Sequence, residues 1–153
     1  MSGPILLCVD GSELSIQAVA AGLAVVDHDG PFALVTVMDA PDPTLVTGTG
    51  FAGGVMSTEE YAEEQAAAEA RADAVLTELE GQLGLPHVTH HVLQGEPGPA
   101  LVQLADEVGA RAIVLGSRGR GGLRRAVLGS VSDHVVRNAT CPVVVTGAGA
   151  TEA

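Results

Sequence analysis

Lysine is absent from this sequence of 153 residues, and arginine supplies all seven basic side chains. The lysine-containing Walker A loop and Schiff-base chemistry are therefore excluded. Nineteen acidic residues against those seven arginines give a net charge of −12. Because a surface of this charge repels phosphate groups, the composition argues against a protein that binds nucleic acids or anionic membranes over a general surface.

Long apolar runs, aromatic residues and cysteines are also scarce. No segment approaches the roughly 18 apolar residues of a transmembrane helix, and residues 1–4 lack the pattern of a signal peptide, so we expect a cytoplasmic protein without membrane contact. Cys8 and Cys141 lie far apart, each beside an apolar run, which favours buried, reduced thiols over a disulfide. The length and the 46% hydrophobic content predict one domain that folds without disulfides or metal.

Short apolar runs alternate with helical patterns along residues 1–147, which is typical of a parallel sheet with helices on both faces. Residues 40–58 are rich in Gly, Pro and Thr without periodicity and are predicted to form a mobile connection, and residues 148–153 a loose tail. The predicted strands are Ile5–Val9, Phe32–Met38, Val88–Leu93, Ala112–Leu115 and Val143–Val145, and the predicted helices are Leu14–Val26 behind a Ser12 cap, a long helix around Tyr61–Leu83, Pro97–Val108 and Ser130–Asn138.

The long helix and the strand that follows it carry most of the titratable side chains. Eight acids between Glu59 and Glu80 face solvent in this interpretation. His87, His90 and His91 cluster near the third strand, but His90 and His91 point to opposite faces of a strand, so we expect exposed edge-strand histidines and no metal site. The apolar side of the long helix is predicted to consist of Tyr61, Gln65, Ala68, Ala72, Val75, Leu79 and Leu83.

A glycine-rich segment places Gly116 and Gly119 three residues apart, then nine residues, then Gly129 and Ser130 at a predicted helix start. Glycines allow backbone N–H groups to approach an anion, and the helix adds its dipole and a hydroxyl. No acid lies between Gly116 and Val131. The pattern predicts a phosphate site, and a glycine-rich turn with a solvated basic patch is the alternative. Four of the seven arginines fall here: Arg118, Arg120, Arg124 and Arg125.

The spacing Gly-x2-Gly-x9-Gly-Ser resembles the ATP-binding motif of the universal stress protein family. The likeness extends to residues 5–12, to residues 94–97 and to residues 141–145, so it spans almost the whole chain. It implies an α/β fold of flavodoxin-like outline, with an open parallel five-stranded sheet of order 3-2-1-4-5. It also implies a site for ATP, with Mg²⁺ on its phosphates, in which adenine lies near Asp10 and Val37, ribose near Gly116, and the phosphates near Gly119, Gly129, Ser130 and Val131. Arg118 joins this set on the ground of its charge.

Two function classes remain open. The resemblance implies a nucleotide-binding stress or regulatory protein that is not an enzyme, which we favour. A slow ATPase or phosphotransferase would need a catalytic base beside the terminal phosphate, and the direction of Asp133 on the last helix is undetermined by the sequence. Asp10 has a local interpretation too, as a turn acceptor before Gly11 and Ser12.

The fifth predicted strand, Val143–Val145, is apolar and uncharged. In the order 3-2-1-4-5 this strand lies at an edge, where exposed backbone groups favour pairing with another chain. We therefore expect a homodimer through this strand, which the resemblance also implies. Coverage of the edge by the tail is the alternative.

Overall fold

Five parallel strands form one sheet in the computed structural model, which describes residues 3–39, 56–117 and 128–147. The strand order is β3-β2-β1-β4-β5, as expected. Each strand predicted from an apolar run is present and differs from its predicted range by at most one residue. The strands are β1 (Ile5–Cys8), β2 (Phe32–Met38), β3 (Val88–Gln94), β4 (Ala112–Gly116) and β5 (Val143–Thr146).

Helices connect the strands and lie on both faces of the sheet. They are α1 (Glu13–Gly22), α2 (Thr58–Leu83), α3 (Pro97–Val108) and α4 (Ser130–Asn138). The predicted ranges of α3 and α4 are confirmed. The first helix is shorter than predicted, because a 3-10 turn at Leu23–Val25 replaces its end, where Nε2 of His28 lies 2.8 Å from the Leu23 carbonyl oxygen.

The start of α2 corrects the predicted connection at residues 40–58. Ser57 caps the helix by accepting a hydrogen bond from the Glu60 N–H, and the Glu60 carboxylate accepts one from the Ser57 N–H. This capping box satisfies backbone donors at the helix start, so the helix begins at Thr58. Residues 40–55 lie outside the described residues. Across the described part of the chain, no helix is both long enough and apolar enough to cross a membrane.

The apolar core consists of two clusters, one on each face of the sheet. On one face Leu7 of β1 packs with Val19 of α1 and Leu76 of α2. On the other face Leu6 packs with Leu101 of α3, together with residues of α4. Strands covered on both faces must be apolar at successive positions, which is why they read as continuous runs in the sequence.

The predicted apolar stripe of α2 is wrong at Val75. Leu76 is fully buried, whereas Val75 is 40% exposed. The predicted stripe placed Val75 inside because it is apolar and lies three residues after Ala72. The helix turns by 100° per residue, and a four-residue step from Ala72 to Leu76 keeps the contact line on β2 and β3.

Candidate functional site

The turn between β1 and α1 holds Asp10 in a fixed arrangement. Oδ1 of Asp10 accepts hydrogen bonds from the Ser12 N–H at 2.9 Å and from the Ser12 hydroxyl at 2.6 Å. Gly11 has a φ of 86°, in the left-handed region where a side chain is disfavoured. Ser12 also accepts from the Ser15 N–H and caps α1, as the sequence predicted. Asp10 is therefore a turn acceptor, and its half-buried carboxylate is oriented by the turn.

The two ends of the glycine-rich segment meet at the end of β4. The Gly129 N–H donates to the Ser117 carbonyl oxygen at 2.8 Å, and the Ser132 hydroxyl lies 3.3 Å from the same oxygen. Ser117 in turn donates its N–H to the Thr146 carbonyl oxygen of β5 at 2.9 Å. These bonds attach the start of α4 to the ends of β4 and β5.

The β1–α1 turn and the start of α4 lie at the same edge of the sheet. Leu7 pairs with Val114, and continuing this register brings Asp10 level with Ser117. On the other side Cys8 pairs with Val35, which brings Asp10 level with Val37. The connections from β1 and β4 run in opposite directions from this point, and such reversals are where ligands bind in open parallel sheets.

Val37 and Val131 provide apolar surface on one side of this edge. Both are partly buried and pack against the core cluster beneath α3 and α4. Val37 is the sixth residue of β2 and pairs with Leu93. The structure thus places Asp10, Val37, Gly116, Gly129–Val131 at one edge of the sheet. Arg118 and Gly119 lie outside the described residues, as do Arg120, Arg124 and Arg125.

The start of α4 is an electropositive backbone end. The N–H groups of Ser130, Val131 and Ser132 belong to the first turn, where an α-helix provides no acceptor. The Gly129 N–H is engaged by Ser117, so the N–H groups that could meet an anion are those after it. The helix dipole adds about half a positive charge at this end.

Asp133, whose direction the sequence left open, is paired along its own helix. The Arg137 Nε atom donates to both carboxylate oxygens at 3.0 Å. An acid in the first turn of a helix stabilises it, and the bond to Arg137 four residues on is an ordinary surface pair. Asp133 is therefore oriented towards the next turn of α4.

The structure shows three polar side chains that the sequence analysis missed. Ser15 and Ser132 are buried and bond to the backbone of the two turns. His90 was expected to be exposed, but its side chain is only 19% exposed and lies between two carboxylates of α2. For Ser15 and Ser132 the sequence did contain a signal, because each follows a predicted turn at a short spacing. No local signal pairs His90 with residues in a distant helix.

The two cysteines are free, as predicted. Burial raises the pKa of Cys8 to about 12, with a smaller contribution from the nearby Cys141. Cys141 is half-buried, and burial followed by the charge of Asp106 raises its pKa as well. Thiols with raised pKa values carry little thiolate at neutral pH, so both cysteines are poor nucleophiles. In the ranges that the structure describes, no three acidic, histidine or cysteine side chains are grouped as metal ligands.

Comparisons with known proteins cover most of the chain. Residues 1–147 match the universal stress protein family. A universal stress protein of Thermus aquaticus is 33% identical over 141 residues, which cover 92% of this chain and 96% of that protein. The universal stress protein YxiE of Bacillus subtilis is 29% identical over 150 residues, or 95% of this chain and 99% of that protein.

Solved structures share the fold at lower identity. UspA from Lactobacillus plantarum superposes with a TM-score of 0.70 at 22% identity, covering 94% of this chain and 97% of that one. A universal stress protein in complex with cAMP gives 0.66 at 23% identity, covering 97% and 99%. The Archaeoglobus fulgidus protein in complex with dAMP gives 0.58 at 24% identity, covering 94% and 97%. From the match over residues 1–147 and the Thermus aquaticus relative, this chain belongs to the universal stress protein family.

Proposed function

We propose that this protein binds ATP at the edge of the sheet where β1 and β4 end, as a cytoplasmic stress-response protein that regulates through nucleotide binding. The observation that carries the proposal is the hydrogen bond of 2.8 Å between the Gly129 N–H and the Ser117 carbonyl. It closes the Gly-x2-Gly-x9-Gly-Ser segment beside Asp10 and leaves the first-turn N–H groups of α4 for an anion. Universal stress proteins solved with cAMP and dAMP support an adenine nucleotide as the ligand.

Each residue at this edge has a role in the proposed complex. Asp10 and Val37 contact adenine, and Gly116 contacts ribose. Ser130 and Val131 bind the phosphates through N–H groups, and Gly129 allows their close approach. Gly119 and Arg118, which lie outside the described residues, are added to the site from the sequence motif and from the arginine's charge respectively. Mg²⁺ suits oxygen ligands, so it would bind the phosphates near the Ser130 hydroxyl.

The proposed activity is binding without efficient turnover. Hydrolysis of ATP requires a base or a group that positions water at the terminal phosphate. Asp133, the acid in the first turn of α4, is bonded to Arg137 through both carboxylate oxygens. This pairing directs the carboxylate along the helix. A slow ATPase is the outcome that would replace this part of the proposal.

We also propose that two copies pair through β5. Its residues Val143–Val145 are apolar, uncharged and half-buried at the outer edge of the sheet. Pairing of like strands across a two-fold axis would cover this edge in both copies and close the assembly.

Titration calorimetry of the purified protein with ATP and Mg²⁺ tests the nucleotide site, together with the variant Gly129→Val. Gly129 has φ −70° and ψ 170°, a conformation that valine adopts readily, so this substitution should leave the backbone unstrained. In the proposed complex, the added side chain would obstruct the approach of the phosphates to the backbone. We expect the wild type to bind ATP and the variant to lose binding.

Gly81→Val serves as the matched control. Gly81 lies near the end of α2, and a Cβ atom built there meets no atom within 4 Å. This control should bind ATP as the wild type does. Unchanged affinity in a folded Gly129→Val protein would contradict the site. Phosphate release during the same incubation, measured by a colorimetric assay, would contradict the absence of turnover.

A further inference from the structure

Two serines are the buried polar side chains of the described residues. Ser15 is 5% exposed and Ser132 is 2% exposed. A hydroxyl group withdrawn from water costs free energy unless it finds a hydrogen-bond partner. Both serines find theirs in the backbone of the turns that form the candidate site.

Ser15 connects the two ends of the β1–α1 turn through hydrogen bonds of its side chain. Its hydroxyl oxygen accepts from the Asp10 N–H at 3.1 Å and donates to the Ser12 carbonyl at 2.9 Å. The Ser15 N–H in turn donates to the Ser12 hydroxyl, which holds the Asp10 carboxylate. One buried side chain therefore connects both ends of the turn that orients Asp10.

Ser132 has the same place at the start of α4. Its hydroxyl proton is shared between the Ser117 carbonyl at 3.3 Å and the Gly129 carbonyl at 3.2 Å. These two residues are joined directly by the Gly129 N–H bond. Ser132 therefore fastens the two ends of the glycine-rich segment to each other.

The two serines are equivalent in the fold. Ser15 is the third residue of α1, and Ser132 is the third residue of α4. From this position a side chain points back towards the turn that precedes the helix. The two helices lie on opposite faces of the sheet but begin at the same edge, so the two hydroxyls support that edge from both sides.

We propose that Ser15 and Ser132 are positioning residues of the nucleotide site, with Ser15 setting the base-binding half through Asp10 and Ser132 setting the phosphate-binding half through Gly129. The proposal rests on the proposed function. Neither hydroxyl touches the ligand, because both are buried behind the turns. Each acts by keeping one turn in its binding geometry before ligand arrives, which avoids the cost of ordering it on binding.

The division into halves gives a test with two ligands. Calorimetry with adenosine and with ATP should separate the serines, because adenosine lacks the phosphates. Ser132→Ala should weaken ATP by about tenfold, the loss expected for one disrupted hydrogen-bonded turn, and leave adenosine affinity unchanged. Ser15→Ala should weaken adenosine and ATP by the same factor.

Three variants complete the design. Thr77→Ala removes a hydroxyl that donates to the Asp73 carbonyl in the middle of α2, away from the site, and should bind both ligands as the wild type does. Ser132→Thr keeps a hydroxyl that can reach the same carbonyls and should restore ATP affinity. If Ser132→Ala does not fold, Ser132→Cys replaces it, because the thiol is a weaker donor of similar size.

The outcomes separate the two proposals. A wild type that binds neither ligand overturns the proposed function. A wild type that binds ATP, with Ser15→Ala and Ser132→Ala matching Thr77→Ala for both ligands, overturns the positioning role alone. Equal losses for adenosine and ATP in Ser132→Ala also overturn it, because a general loss of stability affects both halves.

Discussion

His90 of β3 lies between two carboxylates of α2. Nδ1 lies 2.9 Å from Oδ1 of Asp73, and Nε2 lies 2.7 Å from Oε1 of Glu80. Both ring nitrogens donate to these acceptors only when the ring is protonated. Burial alone would lower the pKa of His90, but the hydrogen bonds and charges of Asp73 and Glu80 outweigh it and raise the pKa above its usual value.

The raised pKa gives a pH-dependent contribution to stability. When a histidine has a higher pKa in the folded state than in the unfolded state, its protonation stabilises the folded state. This stabilisation is fully present below the unfolded pKa of about 6.5 and is lost as the pH rises through the folded-state pKa. We expect the difference in free energy of unfolding between the wild type and His90→Gln to be larger at pH 6 than at pH 9. Urea unfolding at the two pH values measures it.

The neighbouring His87 provides the control for this substitution. It is exposed and has a φ of 51°, a conformation that asparagine tolerates, so His87→Asn removes a histidine without disturbing the backbone. The His87→Asn protein is unfolded with urea at the same two pH values, so that the His90→Gln protein is compared with another histidine substitution. A His90→Gln difference that does not change between pH 6 and pH 9 would show that the two ion pairs leave stability unaffected.

At the scale of elements, the close contact between α3 and α4 depends on a glycine. Gly98 is buried in the first turn of α3, and a Cβ atom there would lie 2.8 Å from Cγ and 2.9 Å from Cβ of His134. These distances are shorter than van der Waals contact, so the His134 side chain or one of the two helices must shift. Gly98→Ala should therefore destabilise the protein by about 1–3 kcal/mol, although alanine favours helix formation.

Gly81→Ala is the matched substitution in another helix. With no atom within 4 Å of the added Cβ, this change should stabilise the protein by roughly 0.5–1 kcal/mol through helix propensity. Chemical unfolding of both variants measures whether each substitution lowers or raises the free energy of unfolding. In the double variant Gly98→Ala, His134→Ala, part of the loss should be recovered, because Cγ and Cδ2 of His134 are removed. Equal effects of the two glycine substitutions would contradict the packing argument.

At the scale of the whole molecule, we expect the outer edge of β5 to decide the oligomeric state. Pro142 and Thr146 direct their carbonyl oxygens to β4, so by alternation the backbone groups of Val143 and Val145 face outward. Val145→Pro removes an outward N–H and leaves the bonds to β4 in place. We expect light scattering to show a dimer for the wild type and a monomer for this variant.

The opposite edge of the sheet supplies the control. The His87 carbonyl and the Gly95 N–H face β2, so the backbone groups of Val92 in β3 face away from the sheet. Val92→Pro should leave the dimer intact, because the proposed dimer does not pair through β3. A monomeric wild type, or a Val145→Pro protein that keeps the mass of a dimer, would rule out pairing through β5.

The sequence by itself determined the strands, the helices and the place of the candidate site. The apolar run Phe32–Val35 at the start of β2 was recognisable from local composition, because successive positions buried on both faces of a sheet favour apolar residues. Capping is local as well, which is why Ser12 was identified at the start of α1. The glycine spacing needed no tertiary contact to be seen, since a motif is a property of the chain.

Contacts between distant segments were decided by the tertiary structure alone. His90 meets Asp73 and Glu80 only because α2 packs over β3. The alternating pattern of the strand, considered alone, predicted an exposed side chain. The choice of Leu76 over Val75 likewise follows from where α2 rests on the sheet. Ser15 and Ser132 acquire a shared role because two helices on opposite faces begin at one edge. Periodicity records which side of an element is apolar, and only packing fixes what that side touches.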